Sequence, residues 1–210
     1  MTPVCERLLD DGLAALDVAV DTEQRGRLLA LGTLLHKWNR AYNLTAVRSP
    51  EAMIGRHLLD SASVAFAVRG PRLLDVGSGP GFPGLVLAIL NPQLQVTLLD
   101  SNGKKVRFQR QAVMELGLTN VSSEQVRVEA FDGTFDQIIS RAFAALGDFV
   151  SLTEPLLREG GEWLAMKGSL DAREREALPE SVVIRERFAL TVPGVDADER
   201  QLLRLERAAP

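Results

Sequence analysis

Apolar residues recur every three or four positions through the first third of the chain. Leu8, Leu9, Leu13 and Leu16 form one stripe, and Leu28, Leu31, Leu35 and Trp38 a second. That is the spacing of a helix face turned toward a core. Pro3 suits the first turn of the first helix. Asp21 with Gln24 reads as an N-cap and its capping-box partner, opening the second. Residues 39–48 are polar and predict a loop. Ser49-Pro50 restarts a helix as cap and first residue, with Met53, Ile54, Leu58 and Leu59 on its apolar face. Residues 1–67 are therefore predicted helical.

At Arg72 the period changes. Leu73, Leu74, Asp75 and Val76 make a short apolar run that stops at glycine. Strands are predicted at 72–76, 95–100, 124–129, 134–140 and 161–167, with helices between them at 83–91, 102–117 and 144–157. Such alternation implies a parallel sheet with right-handed crossovers, the α/β class. Segments 182–191 and 200–207 are β-like. The connection from Val192 to Glu199 is too short for a crossover helix, so this pair is expected to be antiparallel. Gly70-Pro71 marks the boundary between a helical extension, 1–70, and an α/β core, 71–210, packed as one compact domain.

Composition narrows the class. The 210 residues suffice for one domain with a small appendage. One cysteine, Cys5, excludes a disulfide framework, and two histidines, His36 and His57, argue against a dedicated metal centre. The charged N-terminus is unlike a signal peptide, and no apolar run is long enough to span a membrane. A soluble, cytoplasmic protein is expected, with no membrane or metal partner and as a monomer. A net charge of −4 argues against coating nucleic acid through bulk charge.

The strongest local signal is Asp75-Val76-Gly77-Ser78-Gly79-Pro80-Gly81-Phe82-Pro83-Gly84, between a predicted strand and a predicted helix. Glycines there let a ligand approach the backbone, at the carboxyl ends of the strands. Two ligands compete. Gly79-x-Gly81-x-x-Gly84 matches the dinucleotide fingerprint, with Asp100 where a ribose-binding acid is expected. That reading makes the chain an NAD-dependent oxidoreductase. S-adenosylmethionine fits better. It has no pyrophosphate to be repelled by Asp75, which can order the loop or meet the cationic methionine end. Pro80 and Pro83 also remove two donors that a phosphate site would use. Asp100 can hold ribose hydroxyls, cap the following helix, or do both.

Several stretches together resemble the RsmG family, also called glucose-inhibited division protein B, the bacterial 16S rRNA guanine-N7 methyltransferases. They are the glycine loop, Trp38-Asn39 with Tyr42-Asn43-Leu44-Thr45, and His57-Leu58-Leu59-Asp60-Ser61. Leu98-Leu99-Asp100-Ser101 with Lys104-Lys105-Val106-Arg107-Phe108 follows, then Ile139-Ser140-Arg141-Ala142 and Met166-Lys167-Gly168. The resemblance implies a class I methyltransferase (Rossmann-like) sheet, mostly parallel with a C-terminal antiparallel hairpin, plus N-terminal helices. It implies methyl transfer from S-adenosylmethionine to a guanosine of 16S rRNA or the small ribosomal subunit. Its donor contacts would fall on Gly77, Phe82, Val128, Glu129 and Arg141, beside Asp75, Gly79 and Asp100. Phe82 would offer an apolar face, and Val128 and Glu129, at the end of the third strand, would hold adenine. Arg141 would grip a carboxylate or phosphate, unless it is spent on an ion pair with Glu129 or Asp75.

Guanine N7 carries a lone pair and no proton, so no acid–base catalyst is assigned; Arg141 and Lys167 are expected to act by positioning. His57, beside Leu58 and Leu59, reads as a buried, satisfied histidine. Lys104, Lys105 and Arg107, with Arg40 and Asn43, are the expected RNA contacts, through phosphates and unpaired bases. Trp38, Tyr42 and Asn43 can equally pack the helices onto the sheet. A non-catalytic RNA-binding or ribosome-assembly module is the remaining alternative.

Overall fold

The computed structural model describes every residue except 142, 144, 171, 196–199, 209 and 210. Ala142 of the arginine motif and part of the predicted 192–199 connection lie outside the described residues. Thr2 caps α1 (Pro3–Ala15), and Asp21 and Gln24 form the expected capping box on α2 (Thr22–Tyr42). α2 runs past the predicted break at Asn39, ending at Asn43 with φ 51°. Asn39 stays helical because its amide holds the next loop, donating to Val47 O at 2.9 Å and accepting from Thr45 N at 2.9 Å. Ser49 caps α3 (Pro50–Met53), which continues through a π-helical turn, Ile54–Leu59, into α4 (Asp60–Ala62).

Seven strands follow: β1 (Arg72–Val76), β2 (Gln95–Leu99), β3 (Val121–Glu124), β4 (Phe135–Ser140), β5 (Leu157–Lys167), β6 (Val182–Ala189) and β7 (Gln201–Arg207). Their order is β3-β2-β1-β4-β5-β7-β6, parallel through β5, with β7 antiparallel to both neighbours. Helices α5 (Gly84–Leu90), α6 (Gly103–Glu115), α7 (Leu146–Thr153) and α8 (Ala172–Glu176) connect them. The sheet separates two apolar clusters. One joins Leu9, Leu28 and Leu35 of the N-terminal helices to Leu85 and Phe108; the other gathers Phe149 and Trp163. Among the described residues no helix is long and apolar enough to cross a membrane.

The third strand is not at 124–129. Val121–Glu124 pairs with Val96–Leu99, and the chain then leaves the sheet. Val126 and Val128 owe their apolar character to packing on the second cluster, and Val128–Ala130 is a 3-10 turn. The helix predicted to 157 stops at Thr153 and a 3-10 turn, since Pro155 has no N–H to continue it. β5 accordingly begins at Leu157.

The Gln137 side chain ties the boundary segment to the sheet. Gln137 Oε1 accepts from Arg69 N at 2.7 Å and Gly70 N at 3.3 Å, while Nε2 donates to Ala67 O at 3.0 Å and Glu162 Oε2 at 2.7 Å. Gln137→Leu keeps the volume and strands these partners, so urea unfolding should show a loss of about 3 kcal/mol. An unchanged midpoint would mean that water replaces the amide at no cost.

Candidate functional site

The sheet order reverses at β1, which pairs with β2 on one side and β4 on the other. A ligand crevice is expected outside the carboxyl ends of such strands. The glycine loop lies there. Gly77, Gly79 and Gly81 have φ of 66°, 58° and 96°, values that L side chains disfavour. Side chains of the neighbouring unit fix the loop. Gly79 N donates to Asp100 Oδ2 at 2.8 Å. Gln109 Nε2 donates to Gly79 O at 2.7 Å and Ser78 Oγ at 2.9 Å. Gln109, fully buried on α6, carries no sequence signal that announces this task.

Asp75 is also fully buried, and Gly84 N donates to its Oδ2 at 2.7 Å. Of its two expected uses, the structure gives it the ordering of the loop. Burial pushes its carboxyl up to about 7. Gly79 is likewise spent: both of its backbone groups are taken by side chains. The N–H that a pyrophosphate would need is therefore engaged, and the dinucleotide reading loses its support.

Of the expected donor contacts, Gly77, Asp100, Val128 and Glu129 do meet. They line a cleft of about 210 Å³ at the ends of β1 and β2, with Phe143 and Leu152, two residues that the sequence reading missed. A Cβ at Gly77 would meet nothing within 4 Å, so this glycine faces open space. Val128 and Glu129 reach the cleft from the 3-10 turn, not from a strand end. Asp100 does not cap α6. Asn102 does, accepting from Lys104 N and Lys105 N, while Asp100 Oδ1 accepts from Asn102 N at 2.8 Å.

Phe82 departs from expectation. It is 1% exposed and is absent from the cleft lining. Its ring stacks on His57 at 5.1 Å, and the Arg141 guanidinium lies 5.6 Å from its centroid. Arg141 pairs with neither Glu129 nor Asp75. Its Nη1 donates to Asp60 Oδ2 at 3.3 Å and Arg56 O at 3.2 Å, and Nη2 lies 3.2 Å from His57 Nδ1. A guanidinium only donates, so Nδ1 accepts and the ring proton sits on Nε2, directed at Thr45 Oγ1 2.9 Å away. Burial, with Arg141 and Arg56 nearby, lowers the imidazole to about 3. His57 is thus a buried, satisfied neutral ring, as the pattern predicts.

His57 and Asp75 place opposite pH slopes on stability. His57 binds its proton near 6.5 when unfolded and near 3 when folded, so its contribution is whole above 6.5 and lost toward 3. Asp75 is raised from 3.8 to about 7, so its contribution is present below 3.8 and lost as pH rises through 7. Between these limits the two oppose each other. Asp75→Asn removes one slope. Its unfolding free energy should rise with pH more steeply than the wild type's, by up to ~1.4 kcal/mol per pH unit between about pH 4.5 and 6.5. Parallel curves would mean that Asp75 titrates as an ordinary carboxylate.

Lys167, at the end of β5, is paired with Glu174 of α8. Lys104 and Arg107 are exposed and Lys105 half-buried on α6, with no ion-pair partner among the described residues. Trp38 packs α2 onto α6, its ring 5.8 Å from Phe108, and carries the exposed Tyr42 at 5.1 Å. Arg40, two residues on from Trp38 along α2, is exposed. Asn43 is engaged, accepting from Arg48 Nη1 at 2.9 Å.

Comparison with known proteins agrees with this arrangement. Among solved structures, TrmN from Thermus thermophilus superposes with a TM-score of 0.58 at 23% identity, over 81% of this chain and 53% of that one. The ribosomal protein L11 methylase of Lactobacillus delbrueckii subsp. bulgaricus gives 0.57 at 21%, over 72% and 80%. Both share the class I methyltransferase fold. Ribosomal RNA small subunit methyltransferase G of Chromohalobacter salexigens is 69% identical over 99% of this chain and all of its own length. The protein of that name from Shewanella amazonensis is 47% identical over 98% of this chain and its whole length. The family model described as GidB, rRNA small subunit methyltransferase G, matches residues 24–203. With sheet order, glycine loop and nearly full-length relatives in agreement, the chain belongs to the rRNA small subunit methyltransferase G (GidB) family.

Proposed function

We propose that this protein transfers a methyl group from S-adenosylmethionine to N7 of a guanosine in 16S rRNA. The observation that carries this reading is the 69% identity, over 99% of the chain, to a relative named for small-subunit rRNA methylation. The cleft fits the donor. Gly77 leaves open space at its Cα, Asp100 offers carboxylate lone pairs for ribose hydroxyls, and Val128, Phe143 and Leu152 supply apolar surface for adenine beside Glu129. When bound, S-adenosylmethionine supplies an electrophilic sulfonium methyl that a base nitrogen lone pair can attack in line.

This chain's residues then have to bind, orient and exclude water. The acceptor nitrogen carries no proton, so no general base is required. His57, neutral and turned onto Arg141, fits a positioning role. Orientation of this kind supplies roughly 7–11 kcal/mol where the bound geometry is near that of attack. Lys104, Lys105, Arg107 and Arg40 hold RNA phosphates, and Lys167 steadies the end of β5 through Glu174. The helical extension, 1–70, and the core, 71–210, act as one compact domain, as a cytoplasmic monomer without a metal. Tritiated S-adenosylmethionine with 16S rRNA or small subunits tests the reading, with mass mapping of the product. One labelled 7-methylguanosine is expected; no label in 16S rRNA, or label at another atom, would overturn it.

A further inference from the structure

The motif His57-Leu58-Leu59-Asp60-Ser61 carries a buried carboxylate as well as the neutral histidine. It crosses from the π-helical turn into α4. Asp60 is 1% exposed and receives two guanidiniums, Arg141 on Oδ2 at 3.3 Å and Arg200 on Oδ1 at 2.6 Å. Arg141 follows β4 and Arg200 precedes β7, so one buried carboxylate ties both strand ends to the N-terminal helices. A buried carboxylate or guanidinium without its partner is costly, which keeps the three together.

The geometry also divides the Arg141 guanidinium into two edges. It has five N–H bonds. Three, all on Nη1 and Nη2, go to Arg56 O, Asp60 Oδ2 and His57 Nδ1. The edge formed by Nε–H and the second Nη2 N–H has no partner among the described residues, and the side chain stays 19% exposed. Phe82 beneath the plane, itself stacked on His57, sets its height. Two guanidiniums on one carboxylate leave a surplus positive charge beside the glycine loop.

We infer that Asp60 is a positioning residue. It holds the inner edge of Arg141 so that the outer edge presents two parallel donors to one oxyanion. Arginine forks suit carboxylate and phosphate alike. The oxyanion is the amino-acid carboxylate of the methyl donor or a phosphate of the RNA. The inference rests on the methyltransferase reading above.

Calorimetry with S-adenosylhomocysteine and with 5′-methylthioadenosine, which lacks the amino-acid carboxylate, separates these sources; binding of a 16S rRNA fragment supplies the second arm. Asp60→Asn and Arg141→Lys should each lose about tenfold or more. The loss should appear in S-adenosylhomocysteine affinity alone if the carboxylate is held, and in RNA affinity alone if a phosphate is held. Unchanged affinities in both arms would overturn the role of Asp60. So would an equal loss for both nucleosides and RNA, since that marks general damage. Should Asp60→Asn not fold, Asp60→Asn with Arg200→Met removes one cation with the anion and is expected to show the same selective loss. A wild-type protein that binds neither nucleoside would overturn the methyltransferase reading itself.

Discussion

Alanine at position 84 is expected to lower the thermal midpoint by roughly 10 °C. Gly84 opens α5 where that helix lies against β1 and β2. A Cβ there would stand 2.3 Å from Leu98 Cδ2, 2.9 Å from Asp75 Oδ2 and 3.1 Å from Val96 Cγ1. Leu98 and Asp75 are fully buried and Val96 nearly so, leaving little room to yield. Overpacking of this kind costs about 1–3 kcal/mol. Pushing the helix away also lengthens the bond from Gly84 N to Asp75, and leaving buried polar groups unpaired costs a further ~1–3 kcal/mol. A total near 4 kcal/mol moves the midpoint of a chain this size by about 8–16 °C. The variant should also bind S-adenosylhomocysteine poorly, because the loop that Asp75 orders begins the same crevice. Gly26→Ala is the counterpart. A Cβ at that exposed position in α2 meets nothing within 4 Å, so it should stabilise by about 0.5–1 kcal/mol. A scan in which both variants melt like the wild type would refute the close-approach argument for Gly84.

The contrast between these two glycines shows what was legible in the sequence. Helix starts and the main strands are local signals, and Pro3, Asp21, Ser49 and the run Leu73–Val76 act as their neighbours predict. The glycine loop stood out as a candidate ligand loop because of its glycine density between a strand and a helix, and three of five of its residues do take left-handed backbone. The third strand was misplaced because Val126 and Val128 are apolar for packing against the opposite cluster rather than for pairing. β5 was predicted to start at 161, four residues late, because the helix before it was extended to 157. Gly161 is needed because a Cβ would stand 2.8 Å from Asp136 O on β4. The candidate site was legible where its residues lie on strand ends and loops that line one cleft, as with Gly77 and Asp100. Phe143 and Leu152 were missed because an apolar lining residue looks like any core residue. Arg141 was placed on the ligand side, but its anchor was not foreseen. Asp60 lies 81 positions away in sequence, and only the packing of the π-helical turn against the ends of β4 and β7 brings them together.

Changing Lys104, Lys105 and Arg107 together to alanine should reduce methyl transfer to RNA by about 100-fold near physiological salt, with donor affinity unchanged. The case begins with the helix. These residues occupy the first turns of α6, and that first turn carries no acid. Cations at a helix N-terminus oppose the macrodipole by about 0.3–1 kcal/mol each, so stability of the helix does not account for them. Lys104 and Arg107 point to solvent, and Lys105 Nζ lies 4.0 Å from where a Cβ of Gly79 would sit, which brings positive charge up to the glycine loop. A strand of RNA entering the crevice would pass this face with its phosphates. Three such contacts contribute about −2 to the slope of log affinity against log salt for single-stranded RNA. The KM for RNA should therefore rise steeply with salt in the wild type and much less steeply in the variant, the two converging at high salt. The variant should fold at least as stably, since it sheds two cations, Lys104 and Lys105, from the first turn of a helix. Equal salt slopes for the two proteins would make α6 an ordinary solvated face.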